Sequence, residues 1–162
     1  MVKNEIALRK TDTIWDDLDR LHRQISQRAY ALFRDRGAFV GGALNDWLNA
    51  ERELVWKPEV ELRQKDGQFE LLAATPGVEP KDLVVELTPE ALLIKADVSN
   101  GHAAEDGSVQ LCEFVAGKLF RSVIFPEPVD PGSVKAEYRN GMLRLTVAIA
   151  KVAPRLVDVK VA

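Results

Sequence analysis

The chain carries a single cysteine, Cys112, among its 162 residues, so no internal disulfide can form. That usage suits a reducing compartment, and a cytoplasmic protein is the expectation. Nowhere do about 18 apolar residues run together, which argues against a membrane-spanning helix. The opening Met-Val-Lys-Asn-Glu-Ile has no apolar stretch of the length a signal peptide needs. A basic excess is missing too: 22 Lys and Arg against 25 Asp and Glu give a net charge of −3, no footprint for nucleic acid. His22 and His102 have no second ligand at metal spacing and read as surface residues. Cys112 has no basic neighbour in sequence to activate it and reads as a structural thiol rather than a nucleophile. Neither a Gly-x-Ser-x-Gly elbow nor a Gly-x-x-x-x-Gly-Lys loop occurs, which leaves hydrolase and nucleotide-driven chemistry unsupported. Asp16, Asp17 and Asp19 read as a solvated helix face. No enzyme, cofactor or metal site is expected.

What the chain does contain is clearest between Val134 and Ile149. Asn140-Gly141 is the pair most favoured for a two-residue hairpin turn, since both central positions need positive φ. Folding back on that turn sets Tyr138 opposite Leu143, Ala136 opposite Leu145 and Val134 opposite Val147. Glu137 then meets Arg144 on the other face. A slip of one residue would put apolar against polar at every step.

Residues 13 to 36 carry helical periodicity through Ile14, Leu18, Leu21, Ile25, Ala29 and Leu32. Thr11, Asp12 or Thr13 would cap that helix, and Gly37 would end it. Trp15, Tyr30 and Phe33 widen the stripe beyond what one helix hides by itself. A second helix follows Gly41-Gly42, from about Leu44 to Leu54, with Trp47, Ala50 and Leu54 on one side. From Trp56 the period becomes strand-like. Extended segments are expected over Val55 to Leu62, Phe69 to Thr75, Leu83 to Leu87, Leu92 to Val98, Val109 to Val115 and Leu119 to Phe125, followed by the hairpin. Short strands at this spacing with no helix between them indicate a mainly β, antiparallel β-sandwich. The last residues place Val157, Val159 and Val161 on one face of an extended tail.

Several of these stretches carry a resemblance. Ala136-Glu137-Tyr138-Arg139-Asn140-Gly141-Met142-Leu143 is similar to the Ala-x-x-x-Asn-Gly-Val-Leu signature of the small heat-shock proteins, with Met142 for the usual Val. Trp56-Lys57-Pro58 resembles that family's Trp-x-Pro opening. Ala73-Ala74-Thr75-Pro76-Gly77-Val78 with Asp82-Leu83 resembles its Ala-x-x-Pro-Gly-Val run. Leu92-Leu93-Ile94-Lys95-Ala96 resembles its Leu-x-Ile-x-Gly/Ala strand. Glu113 through Arg121 to Phe125-Pro126 resembles Glu-Arg-x-x-Gly-x-Phe-x-Arg … Leu-Pro, with Phe114 for Arg and Leu119 for Phe. The likeness runs from about residue 55 to 162. Residues 27 to 54 also resemble a small bacterial helical module of unknown function, which implies no chemistry.

The resemblance implies an immunoglobulin-like sandwich of the α-crystallin type over residues 55–150, with a helical arm (1–54) and a C-terminal extension (151–162). It implies an ATP-independent holding chaperone that binds partly unfolded proteins and prevents their aggregation in the stress response. It also implies a dimer built by exchange of a loop strand, here from the interval Ser99 to Cys112, which pairs beside the partner's first strand, near Trp56 to Val60. Val157-Asp158-Val159 aligns with the family's Ile-x-Ile/Val tail motif, which docks on a neighbouring dimer and builds larger homo-oligomers. Two valines for isoleucines would weaken each dock by about 1–2 kcal/mol, at about 0.8 kcal/mol per methylene.

Each candidate residue has a plainer reading beside that one. Ile14, Trp15, Leu18, Leu21, Ile25, Tyr30, Phe33 and Trp47 either meet clients or pack permanently within the arm. Val157 and Val159 either dock or fray. Arg121 either pairs with a carboxylate across a dimer interface, with Trp56 nearby, or is a solvated strand residue. Ala136, Asn140, Gly141 and Leu143 serve the hairpin. Two other functions stay open: an adaptor or co-chaperone that docks one folded partner, and a membrane-surface protein using residues 13 to 36 as an amphipathic helix. Asp16, Asp17 and Asp19 make the latter a poor match for anionic lipid, and no membrane partner is expected.

Overall fold

A computed structural model describes residues 5–11, 14–37, 41–98, 107–111 and 117–151. In chain order the elements are β1 (Ala7–Lys10), α1 (Trp15–Asp35), α2 (Ala43–Leu54), β2 (Val55–Trp56), β3 (Val60–Lys65), β4 (Gln68–Ala74), β5 (Val84–Leu87), β6 (Ala91–Val98), β7 (Gly117–Ile124), β8 (Lys135–Arg139) and β9 (Met142–Ala148). They form two sheets, β1-β5-β6-β7-β2 and β3-β4-β9-β8. The fold is a mainly β sandwich with its helices at the N-terminal end.

Alternation along the strands decides what each face meets. Phe69, Leu71 and Ala73 of β4 and Leu143, Leu145 and Val147 of β9 point inward from the second sheet. Val85, Leu87, Leu92, Ile94, Ala96 and Leu119 point inward from the first, and Phe69 stacks on Phe125 at 5.6 Å. The second sheet turns a polar face outward, where Glu70 pairs with Arg144 at 2.6 Å and Glu61 with Arg63. The first sheet is different. Its outer face carries Leu93 and Phe120, both buried, and α1 and α2 lie over them with Ile14, Ile25 and Ala50. A sheet apolar on both faces needs a third layer, as a parallel sheet does when helices cover it.

The hairpin from Lys135 to Ala148 has the register its sequence predicts: Tyr138 faces Leu143, Ala136 faces Leu145, and Glu137 faces Arg144. Asn140 and Gly141 take φ of 52° and 75°, as a two-residue turn of this hand requires. Asp66 and Gly67, at 51° and 74°, turn β3 into β4 in the same way. The tip of the β8–β9 hairpin is clasped to the Thr75–Val78 turn. The Thr75 amide donates to Gly141 O at 2.8 Å, and the Tyr138 hydroxyl lies 2.6 Å from Val78 O and 3.0 Å from Thr75 O.

Four expectations change. The extended segment Val55 to Leu62 is interrupted: β2 belongs to one sheet and β3 to the other, and Pro58, which has no N–H for a ladder, sits buried in the crossing. Val109–Leu111 are not strand; they lie exposed, and no described strand offers them an edge. Residues 112–115 of that segment lie outside the described residues. The first helix begins after Ile14, which takes the N-cap position without a side-chain cap; Asp12 and Thr13 lie outside the described residues. Finally, β1 pairs in parallel with β5, an element that the short Ile6-Ala7-Leu8 alternation did not announce.

A Cβ added at Gly141 would come 3.1 Å from Pro76 Cα, whereas one at Gly67 meets nothing within 4 Å. Both substitutions to alanine carry the left-handed backbone penalty of about 1–2 kcal/mol. Urea denaturation should therefore find Gly141→Ala the more destabilising of the two. Equal losses would mean that the clasp tolerates displacement of Pro76.

Candidate assembly and client-binding surfaces

Helices α1 and α2 are bound to each other before they are bound to the sheet. Arg36 reaches the buried carboxylate of Asp46 at 2.9 Å, Arg28 meets Glu53 at 2.6 Å, and the rings of His22 and Trp47 sit 4.7 Å apart. The pair then seats on β6 and β7 through a small apolar cluster of Ile14, Ile25, Ala50, Val55, Leu93 and Phe120. Leu18, Leu21, Leu32 and Trp47 are half-buried at its margin. None of the fully buried residues of the sandwich core comes from either helix.

At the border of that contact stands an ionic cluster. Lys95, the polar position in the outer row of β6, puts its ammonium 2.6 Å from Asp17 of α1 and 2.8 Å from Glu86 of β5. Arg20 is 3.3 Å from Asp17, and Arg9 of β1 is 4.0 Å from Glu86. The hydrogen bond from Lys95 holds the Asp17 carboxyl below its usual value, against the opposing effect of burial. Burial pulls the Lys95 ammonium down, but its hydrogen bonds to Asp17 and Glu86 outweigh that and raise it. Lys95 thus ties the arm to β5 and β6, and Glu86 extends the cluster to Arg9 of β1.

The stripe read from the sequence divides in space. Ile14 and Ile25 are buried on the sheet, and Leu18 and Leu21 are half-buried there. Trp15 and Tyr30 are 66% and 61% exposed on the far side. Phe33 is half-buried, with Tyr30 at 6.1 Å and the Arg36 guanidinium over its ring at 5.3 Å. Trp56, in β2, packs half-buried against the sandwich core. Arg121 is not an outward, solvated residue. It shares the inward parity of Leu119 and Val123 and pairs in register with Ile94, and its buried Nε has no hydrogen-bond partner among the described residues. Ala136 is half-buried, Asn140 exposed and Leu143 fully buried at the hairpin. Val157 and Val159 lie outside the described residues.

Four participants escaped the sequence reading. Leu93 and Phe120 were signalled by the continuous runs Leu92-Leu93-Ile94 and Leu119-Phe120, which mark strands covered on both sides. Lys95 was signalled by being the charged residue inside that apolar strand. Asp17 carried no signal, because a helix face with three aspartates reads as solvent-facing. Among the described residues no helix is long and apolar enough to cross a membrane.

A clasped hairpin, a two-sheet sandwich and a helical arm on its β6–β7 face are the geometry against which known proteins can be compared. The model of the Hsp20/alpha crystallin family matches residues 61–160. The chain belongs to that family. Its members, the small heat-shock proteins, are ATP-independent chaperones rather than enzymes, and they bind unfolded clients and form homo-oligomers. A second family model, for a protein of unknown function (DUF2934), matches residues 20–55, most of the arm. The probable 15 kDa heat shock protein of Leptospira interrogans is 32% identical over 110 residues, covering 68% of this chain and 83% of that protein. The alpha-crystallin of Mycobacterium tuberculosis is 32% identical over 96 residues, 59% of this small heat-shock protein and 64% of that one. Among solved structures, a small heat-shock protein from Xylella fastidiosa aligns with a TM-score of 0.53 at 25% identity, over 65% of this chain and 97% of that one. Heat shock protein 16.0 from Schizosaccharomyces pombe gives 0.55 at 20% identity over 66% and 99%, a likeness of fold.

The ionic cluster makes a pH prediction whose sign follows from the two shifts. Asp17 is depressed, so its contribution is complete above 3.8 and is lost as pH falls through its lower folded value. Lys95 is raised, so its contribution is complete below 10.5 and is lost as pH rises through its higher folded value. The arm should hold across neutral pH and loosen in acid. Lys95→Ala, which leaves two carboxylates facing each other, should weaken the arm by about 1–3 kcal/mol at neutral pH. Hydrogen exchange should then show α1 amides losing protection while β4 and β9 keep theirs. Uniform loss would show that arm and sandwich unfold as one unit.

Proposed function

We propose that this small heat-shock protein is a holding chaperone that stores its client-binding surface at the seam between arm and sheet. In this reading residues 1–54 are a detachable arm, residues 55–150 the sandwich, and residues 151–162 an assembly tail. The observation that carries it is the separation of the two apolar clusters. Sixteen buried residues make the sandwich core, while six others join the arm to β6 and β7. A holding chaperone needs apolar surface that is hidden when no client is present. Lifting the arm would bare Leu93 and Phe120 on one side and Ile14, Leu18, Leu21 and Ile25 on the other, with the core intact. Trp15, Tyr30 and Leu44, already exposed, extend that surface outward.

The dimer reading draws support from two features. Arg121 has a buried Nε in want of an acceptor, which a partner's carboxylate would supply. Val109 and Leu111, of a segment whose sequence reads as strand, are 68% and 79% exposed within one chain. A strand from this loop would add to the partner near Trp56 to Val60, where β2 and β3 are the outer strands of their two sheets. Docking of Val157 and Val159 would then join dimers into larger assemblies. A distinct high-order structure is described for the Xylella fastidiosa protein.

Light scattering of a heat-labile protein in nucleotide-free buffer, alongside solution mass, tests the central reading. A species larger than a dimer should suppress aggregation at near-stoichiometric ratios, and Lys95→Ala should do so from a lower temperature. A plain dimer or monomer without suppression would sink it. Arg121→Ala should shift the assembly toward single chains, and an unchanged mass would remove Arg121 from the interface.

A further inference from the structure

β1 is the edge strand of the first sheet, outside β5, and its Ile6 and Leu8 lie beside Ala136 and Tyr138 of β8, the edge strand of the second. It runs parallel to β5, Ala7 opposite Val84 through Lys10 opposite Leu87. The Ala7 amide donates to Leu83 O at 3.2 Å and the Thr11 amide to Leu87 O at 3.0 Å. Alternation then sends Ile6 and Leu8 toward β8. Ile6 is half-buried against the sandwich core, and Leu8, 39% exposed, lines a shallow depression with Pro80, Ala136 and Tyr138. On the opposite parity Arg9 meets Glu86. The groove is thus built for an extended segment with two apolar residues at i and i+2, backbone on β5 and side chains over Ala136 and Tyr138.

A strand edge accepts one partner. The other edge of β5 is taken by β6, so whatever pairs with β5 here excludes any second segment. The sequence holds another stretch of the required form, Val157-Asp158-Val159, with the same spacing of apolar residues around one polar position as Ile6-Ala7-Leu8 has around its alanine. We infer that β1 is a displaceable plug, which holds in cis the β5–β8 groove that the Val157–Val159 tail of a second copy of this chain enters when β1 leaves. The inference rests on the tail-docking reading above and adds to it a gate on assembly. The plug has a local advantage, because its tether keeps it at high effective concentration. It is also short: a four-residue strand that pairs along one side only, with β5, belongs to the less protected part of a fold. Loosening the arm removes Asp17 from Lys95, and Lys95 shares Glu86 with Arg9, so arm release and plug release draw on one ionic cluster.

The test is fluorescence anisotropy with a labelled peptide of residues 152–162. It is added to two full-length proteins, both carrying Val157→Ser and Val159→Ser so that their own tails are silent, one of them also carrying Ile6→Ser and Leu8→Ser. If β1 is docked in nine molecules of ten, the apparent Kd of the plugged protein exceeds the intrinsic one by about tenfold. The plugless protein should bind about tenfold more tightly, and an unlabelled peptide of residues 5–11 should displace the tail peptide from it. Equal affinities, or no displacement, would overturn the plug. Unchanged hydrogen exchange in β4 and β9 certifies that the plugless protein is folded. The mass of the protein bearing only the tail substitutions separates the two failures. If that mass falls and the affinities agree, the plug alone is wrong. If the mass is unchanged and the peptide binds neither protein, the tail-docking reading is wrong and the plug falls with it.

Discussion

The close approach of the β8–β9 hairpin tip to the Pro76-Gly77 turn is the constraint on which the sandwich depends. Pro76 Cα lies 3.1 Å from where a Cβ on residue 141 would be, and the Tyr138 hydroxyl binds two carbonyls of the same turn. The turn is where the chain leaves β4 and heads for β5 in the opposite sheet, so a hairpin clasped to it fixes the spacing of the two sheets at that end. This explains why two motifs far apart in the sequence go together. The Pro-Gly-Val run and the Asn-Gly hairpin are two halves of one joint, and neither makes structural sense without the other.

The two sheets then take different work. The second is amphipathic, with a charged outer face that solvent satisfies. The first is apolar on both faces and must be covered, and the arm covers it. What is covered is modest: a leucine, a phenylalanine and a few half-buried neighbours, bordered by one lysine between two carboxylates. A seam of that size, with a partly wet ionic margin, is far weaker than the sandwich core beneath it. That difference in strength is what a surface that is stored rather than buried requires.

Much of this was legible in the residues. The hairpin register followed from Asn140-Gly141 and the alternation around it, and the sandwich followed from strand spacing. The family followed from five motifs in order. What could not be read was which part of a wide helical stripe would meet the sheet. Periodicity places Ile14, Trp15 and Tyr30 on one broad sector, and only the partner's shape sends Ile14 inward and the two aromatics outward. Val109 to Leu111 alternate like a strand, yet a strand exists only with an edge to pair to. The first strand was missed for the opposite reason: Ile6 and Leu8 stand among Lys3, Glu5, Arg9 and Lys10, too few apolar residues for a pattern, and tertiary pairing to β5 supplies what local sequence does not. Arg121 was read from its motif, while its inward parity needed the ladder.

The ties within the arm also set how it could open. Arg28–Glu53, Arg36–Asp46 and the His22–Trp47 contact hold α1 to α2 independently of the sheet, and α2 runs without a linker into β2, which is hydrogen-bonded to β7 at Val55 and Trp56. Such an arm is a lever rather than a flap. Its fulcrum is the α2–β2 junction, and the twelve residues of α2 give it a beam of about 18 Å. Rotation about that point opens the seam as a wedge, widest far from β2 and nearly closed beside it. Entry would therefore be graded by bulk: a thin, extended chain could slip in at a small angle, while a compact, still-folded protein would need the full swing.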